Sequence, residues 1–273
     1  MKSFAYVARV LPNPTLRRLK SLHDAWIAIR WRIQKRTDYA IDVTLDALLG
    51  IKTFVRVPVA PDMSARNIEY DPLPYRSLRA VARHLPLLPS DHLLDIGCGK
   101  GRVLCFFARR RVRRCSGIEI VQDLCEDARR NARSLRGRRA PIDVTHADAI
   151  DAEIGDASII YLFNPFSAEV MQPVLRHIEH SLRVRPRALR ICYVNPVHGA
   201  LLDARDWLTC ADRFVVTWNG WHTCPVNIWT AHSEPAHNAR TLKPARASAE
   251  SAPAQGLVTN GCIEPLQLAL TRQ

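Results

Sequence analysis

The sequence predicts an α/β fold: a doubly wound, mostly parallel sheet of seven strands with a C-terminal antiparallel hairpin. Three observations predict it. Between about residues 70 and 231, short apolar runs alternate with amphipathic segments of helical period, as in a parallel sheet covered on both faces. The run Leu93-Leu94-Asp95-Ile96 breaks into Gly97-Cys98-Gly99-Lys100-Gly101-Arg102, a glycine-rich turn from strand to helix. The last two strand signals follow one another with Asn219-Gly220 between them, which predicts a hairpin.

The chain of 273 residues divides into three parts. Residues 1–69 form an N-terminal helical extension. In it Leu16, Leu19, Leu22, Trp26, Ile29 and Ile33 line one face of a helix that also carries Arg17, Arg18, Lys20, Arg30, Arg32, Lys35 and Arg36. Such a helix either packs on the following domain or lies at a membrane surface through residues 14–36. The opening Met1–Arg9 is too short and too soon interrupted for a secretory signal. No uncharged apolar run approaches the roughly 18 residues that a spanning helix needs.

Residues 70–231 hold the predicted sheet. Strands are expected at about 92–96, 114–119, 142–146, 157–163, 188–194, 213–218 and 225–231. Helices are expected at about 76–84, 101–110, 121–135 and 167–182, with Gly137 a stop for the third. Residues 232–273, rich in Ala, Ser, Pro, Arg and Glu with little periodicity, read as a disordered tail.

The glycine turn is a ligand loop. Bare backbone lets a ligand approach, and the free N–H groups of the helix start favour negative charge. Its spacing excludes a dinucleotide loop, which wants a third glycine where Arg102 stands. An acid, Asp95, followed by glycines at 97, 99 and 101 instead resembles motif I of the class I S-adenosylmethionine-dependent methyltransferases. Glu119 ends the next apolar run, and Asp148 closes Ile142 to Ala149, where that family has its ribose and adenine acids. Asn164-Pro165-Phe166 ends the fourth strand, which in that family lies beside the transferred methyl. These four features fall in register over about 70 residues, a strong joint signal.

The resemblance implies a Rossmann-like fold, S-adenosyl-L-methionine as cofactor, and site roles residue by residue. Asp95 orients the loop and favours a cationic cofactor, while Gly97, Gly99 and Gly101 let the chain pass close to its methionine portion. Glu119 accepts from the ribose hydroxyls and Asp148 from the adenine amine. Upstream, Tyr70-Asp71-Pro72-Leu73-Pro74-Tyr75 resembles the aromatic and proline-rich cover of protein-lysine methyltransferases in the class, with Tyr75 closing over the methionine carboxylate. Asn164, Pro165 and Phe166 are the expected catalytic residues. They resemble the Asn-Pro-Pro-Tyr/Phe motif of enzymes acting on amino nitrogens, with one proline missing. Asn195-Pro196, at the end of the next strand, offers a second polar wall.

The implied function is methyl transfer to a nitrogen of a protein lysine or small amine. The alternatives are a nucleic-acid amino-methyltransferase and a non-catalytic S-adenosylmethionine-binding protein. The net charge of +13 would suit nucleic acid, but the arginines cluster on predicted helix ends and turns, and no aromatic-interleaved basic stretch accompanies them. His177 and His180 share a helix face with no third ligand in the pattern, so no metal site is expected. The eight scattered cysteines, with no Cys-x-x-Cys, suit a reducing cytoplasm, and Cys98 reads as a small spacer in the loop.

Overall fold

The computed structural model of the chain describes residues 14–54, 70–151, 153–218 and 222–231. The Asn219-Gly220 turn, the opening nine residues and the 232–273 tail lie outside them. In chain order the elements are α1 (Pro14–Leu49), α2 (Tyr75–His84), β1 (His92–Ile96), α3 (Arg102–Phe107), β2 (Arg114–Glu119), α4 (Gln122–Ser134) and β3 (Ile142–His146). There follow β4 (Ile159–Phe163), α5 (Ala168–Val184), β5 (Arg190–Val194), α6 (Gly199–Asp203), β6 (Leu208–Trp218) and β7 (His222–Ala231).

The seven strands form one sheet in the order β3-β2-β1-β4-β5-β7-β6. All neighbours are parallel except β7, which runs antiparallel to both β5 and β6. β1, β4 and β5 are buried along nearly their whole length, as strands covered on both faces must be. One face carries Leu78 and Val81 of α2, Val103 to Phe107 of α3 and Ala128 of α4. The other carries Val170, Met171, Val174, Leu175 and Ile178 of α5 with Leu202 of α6. The strand order reverses between β1 and β4, so a crevice opens above their carboxyl ends, where open α/β sheets bind ligands.

β1, β2 and β3 span the ranges their sequences predict; β4, β5, β7 and α3 shift by two or three residues at one end, and three elements differ most. β6 begins at Leu208 rather than near 213, because a bulge between Cys210 and Asp212 lets a stretch with broken alternation stay paired with β7. The five-residue α6 was not expected, being too short to show a helical period. α1 runs past 36 to Leu49, where Gly50, at φ 74°, turns the chain out of the helix.

The second half of α1 docks on the domain by an acidic stripe. Asp38, Asp42 and Asp46 recur every fourth residue on one helix face, and all three are buried. Arg76 pairs with Asp38 at 2.8 Å, and Arg102 pairs with Asp42 at 2.6 Å. Asp46 accepts the Tyr75 hydroxyl at 2.6 Å and the Thr53 hydroxyl at 3.0 Å. Arg102, only 2% exposed, also donates from Nε to Thr53 Oγ1 and lies 4.4 Å from the Tyr75 ring centroid. Burial still leaves the Asp42 carboxyl above its ordinary pKa, although Arg102 beside it pulls the other way.

Candidate functional site

A cavity of about 230 Å³ opens above the carboxyl ends of β1, β2 and β4. Asp95, Gly97, Gly99, Glu119, Asp148, Asn164, Pro165 and Phe166 all line it. Residues from five strand ends and loops thus meet at one place, although they span 72 positions from Asp95 to Phe166 counted inclusively.

The loop glycines are required by what faces them. Gly97, Gly99 and Gly101 hold φ of 81°, 52° and 75°, a left-handed region that glycine enters freely. A Cβ on Gly97 would come within 2.7 Å of Pro165 Cβ, so this glycine lets the β4 end close against the loop. A Cβ on Gly99 would run into the Tyr70 ring. Gly101 packs on Ala128 of α4 and does not line the cavity. Cys98 is buried, facing the bare Cα of Gly117 on β2, and burial pushes its thiol well above the ordinary value.

Two buried carboxyls face the cavity with different partners. Glu119 accepts the Gly99 N–H at 2.7 Å on one oxygen and the Val121 N–H at 3.0 Å on the other. Orienting the loop, expected of Asp95, is therefore done by Glu119. A carboxylate has about four acceptor sites, so Glu119 keeps capacity for hydroxyl donors. Burial raises the Glu119 pKa against the pull of its backbone donors. Asp95 is pushed well above its ordinary value, first by burial and then by the Glu119 charge. Asp148 holds the Ile150 N–H at 3.0 Å with one oxygen, a local turn that leaves the other free to accept.

Tyr75 is placed elsewhere than expected. It is buried outside the cavity, with its hydroxyl bound to Asp46 and its ring beneath Arg102. Tyr70 takes the cavity position, donating its hydroxyl to the Thr53 carbonyl at 2.7 Å. The Pro72 and Pro74 pattern locates this cover, but only the docking of α1 decides which tyrosine turns inward.

The β4 and β5 ends repeat one device. Asn164 and Asn195 are the non-glycine residues with positive φ among the described residues, at 39° and 51°, and both line the cavity. Asparagine tolerates this region better than bulkier residues do. Phe166 packs in the core with Val170 and Met171 while its ring also borders the cavity. Three further lining residues carried no sequence signal strong enough to assign: Arg102, Tyr161 and Trp218. The repeated Asn-Pro at two successive strand ends was the available signal for Asn195. For Tyr161, a tyrosine inside an apolar strand is indistinguishable from core.

Two buried polar groups of these lining residues, the Tyr161 hydroxyl and the Trp218 indole N–H, have no protein partner. Buried donors left alone are disfavoured by about 1–3 kcal/mol each. Together with the carboxyls Asp95 and Glu119, they fit a ligand that is cationic in one part and offers acceptors in another. S-adenosyl-L-methionine has that character: a sulfonium and ammonium, a carboxylate, and ribose hydroxyls. Among the described residues no group of three His, Cys, Asp or Glu side chains is arranged to hold a metal ion.

The sheet order with β7 antiparallel, a glycine loop at the switch point in which Arg102 stands in place of a third dinucleotide glycine, and a carboxylate at the end of β2 together fit a class I S-adenosylmethionine-dependent methyltransferase fold. Residues 93–185, about a third of the chain, match the family described as Methyltransferase domain, and the site's cofactor is S-adenosyl-L-methionine. Two curated relatives are similar in sequence. One is an O-methyltransferase of Penicillium expansum, 36% identical over 86 residues that make up 30% of each chain. The other is a protein-lysine N-methyltransferase of Saccharolobus islandicus, 21% identical over 129 residues, 44% of this chain and 80% of the relative. The chain therefore spans less than a third of the fungal relative's length. Among solved structures, an RNA methyltransferase from Salinibacter ruber in complex with S-adenosyl-L-homocysteine is 23% identical, with a TM-score of 0.45, covering 61% of this chain and 97% of that one.

Proposed function

We propose that the protein transfers a methyl group from S-adenosyl-L-methionine to a nitrogen of a protein lysine or a small amine. The observation that carries this reading is the acceptor side of the cavity. Phe163, Asn164, Pro165, Phe166, Asn195 and Trp218 border it, and none of them titrates.

The bound cofactor supplies a methyl carbon made electrophilic by the attached sulfonium. The new bond forms from the nitrogen lone pair to that carbon as the carbon–sulfur bond breaks, and the nitrogen afterwards sheds a proton. Asn164 and Asn195 accept N–H bonds from the amine through their side-chain carbonyls, turning its lone pair inward. The Trp218 and Phe163 rings, edge to face at 5.8 Å between centroids, exclude water around it. A hydroxyl acceptor would need a base to ionise it, whereas an amine loses its proton on entering a poorly solvated pocket. The phenols of Tyr70 and Tyr161 are poor bases here, because burial raises both well above their ordinary value. The similarity to an archaeal protein named for lysine N-methylation supports the same reading.

The test is transfer of labelled methyl from S-adenosyl-L-methionine to lysine-containing proteins, small amines and RNA, with Asn164→Ala as the key variant. The expected result is labelling of protein or amine, with cofactor affinity retained and kcat reduced about 100-fold in that variant. Exclusive labelling of RNA, or full activity of the variant, would overturn the reading.

A further inference from the structure

α1 uses two faces for two purposes. Its second half docks through Asp38, Asp42 and Asp46, whereas every side chain described between His23 and Ile33 is exposed. Trp26, Ile29 and Ile33 are 53%, 54% and 60% exposed, an uncommon state for large apolar residues aligned on one stripe. Ile29 and Asp38 are nine residues apart, as are Ile33 and Asp42, which puts each pair about 180° apart around the helix. Docking by the acidic stripe therefore turns the apolar stripe away from the domain. The domain cannot cover both faces at once.

Charge selects the partner. Residues 14–37 hold Arg17, Arg18, Lys20, Arg30, Arg32, Lys35 and Arg36 against the single acid Asp24, a balance of seven minus one, or +6. Arg30 lies 4.5 Å over the Trp26 ring, beside the apolar stripe, where a long basic side chain reaches past apolar surface toward anionic groups. A second copy of this helix would set like charges against each other, and a nucleic-acid backbone would leave the apolar stripe in water. None of the described helices is long and apolar enough to cross a membrane, so the helix would lie along the surface.

We propose that residues 14–36 form an interfacial anchor that inserts Trp26, Ile29 and Ile33 into an anionic lipid surface, held there by the flanking arginines and lysines. The anchor and the glycine loop are linked, because Arg102 at the loop's end pairs with Asp42 of the same helix.

The test is sedimentation of the full chain with vesicles of phosphatidylcholine alone and of phosphatidylcholine with about one third phosphatidylserine, at low and high salt. Binding is expected to the anionic vesicles, weakened by salt, and reduced about tenfold or more in Ile29→Asp/Ile33→Asp. Cofactor titration checks that the variant is folded, and its binding should be unchanged. Absence of sedimentation with anionic vesicles, or equal sedimentation of the variant, would overturn the proposal. So would a dimer by light scattering that the variant dissociates, or a clear loss of thermal stability in the variant. Either would show the stripe to be covered by protein.

Discussion

β1 carries a buried aspartate at each end, Asp91 just before it and Asp95 within its last turn toward the cavity, and the two are treated oppositely. Asp91 accepts the Arg190 guanidinium and the Ser158 hydroxyl, each at 2.7 Å, on one oxygen and the Leu88 N–H at 2.6 Å on the other. Around it His92 contacts Asp156 at 2.7 Å and Ser116 at 2.9 Å, and Arg113 pairs with Asp156 at 2.6 Å. At the other end, Asp95 faces a cavity beside Glu119, and Tyr161 and Trp218 hold buried donors with no partner. At the base, Asp91 and His92 have spent their polar groups on protein partners. The top has kept such groups unsatisfied, in the arrangement a ligand completes.

Substitutions at four positions, with Tyr70→Ala as a partner for one of them, would break or sharpen this contrast. Asp91→Ala strands the half-buried Arg190 guanidinium and two further donors, the Ser158 hydroxyl and the Leu88 N–H, and should cost about 3 kcal/mol, lowering Tm by about 6–12 °C. Calorimetry should show that fall with the S-adenosyl-L-methionine Kd unchanged; a comparable loss of affinity would mean that the two ends are not independent.

Gly99→Ala forces a side chain into the left-handed region and against the Tyr70 ring, and should lower Tm by about 4–8 °C and cofactor affinity more than tenfold. In a double-mutant cycle, Tyr70→Ala should recover part of that loss, leaving the backbone strain. Strict additivity would show that the clash is not what matters.

Asp95→Asn should move stability and binding in opposite directions. The folded-state pKa of Asp95 is raised, so the fold loses stability as pH climbs from the ordinary carboxyl value of 3.8 toward the folded one. Removing the charge should raise Tm by about 2–4 °C at neutral pH and weaken cofactor binding at least tenfold. A lower Tm would contradict the reading of Asp95 as an uncompensated charge.

The smallest effect is at His92. Burial lowers its pKa below 6.5 against the pull of Asp156, so the folded protein holds it neutral while the unfolded chain protonates it more readily. The stability this contributes is present above pH 6.5 and lost as pH falls below it. A pH series of melting curves should show a decline of about 2 °C from pH 7 to 5 that shrinks in His92→Gln.

Legibility followed the range of the interactions. β1 to β3 and the loop between β1 and α3 could be read because each is set by neighbours a few residues away: apolar runs, glycines at turns, an acid at a strand end. Glu119 and Asp148 were legible through spacing from that loop. The acidic stripe of α1 was hidden, since Asp38, Asp42 and Asp46 look like the polar face of any exposed helix until Arg76 and Arg102 are placed against them. The choice between Tyr70 and Tyr75 was hidden for the same reason, and so was the fact that Glu119, not Asp95, accepts the Gly99 N–H of the loop.

The sequence by itself determined the sheet, the ligand loop and the set of residues at the strand ends, because backbone conformation and hydrophobic period are local properties that composition encodes directly. Only the tertiary structure decided which of those polar groups are spent and which remain for a ligand. Partnership depends on groups far apart in the chain: Tyr75 on Asp46, Gly99 on both Glu119 and Tyr70, and Arg102 on Asp42, 60 residues before it. Burial then fixes what each unpaired group is worth, since a donor or carboxyl left alone matters only where water cannot reach it.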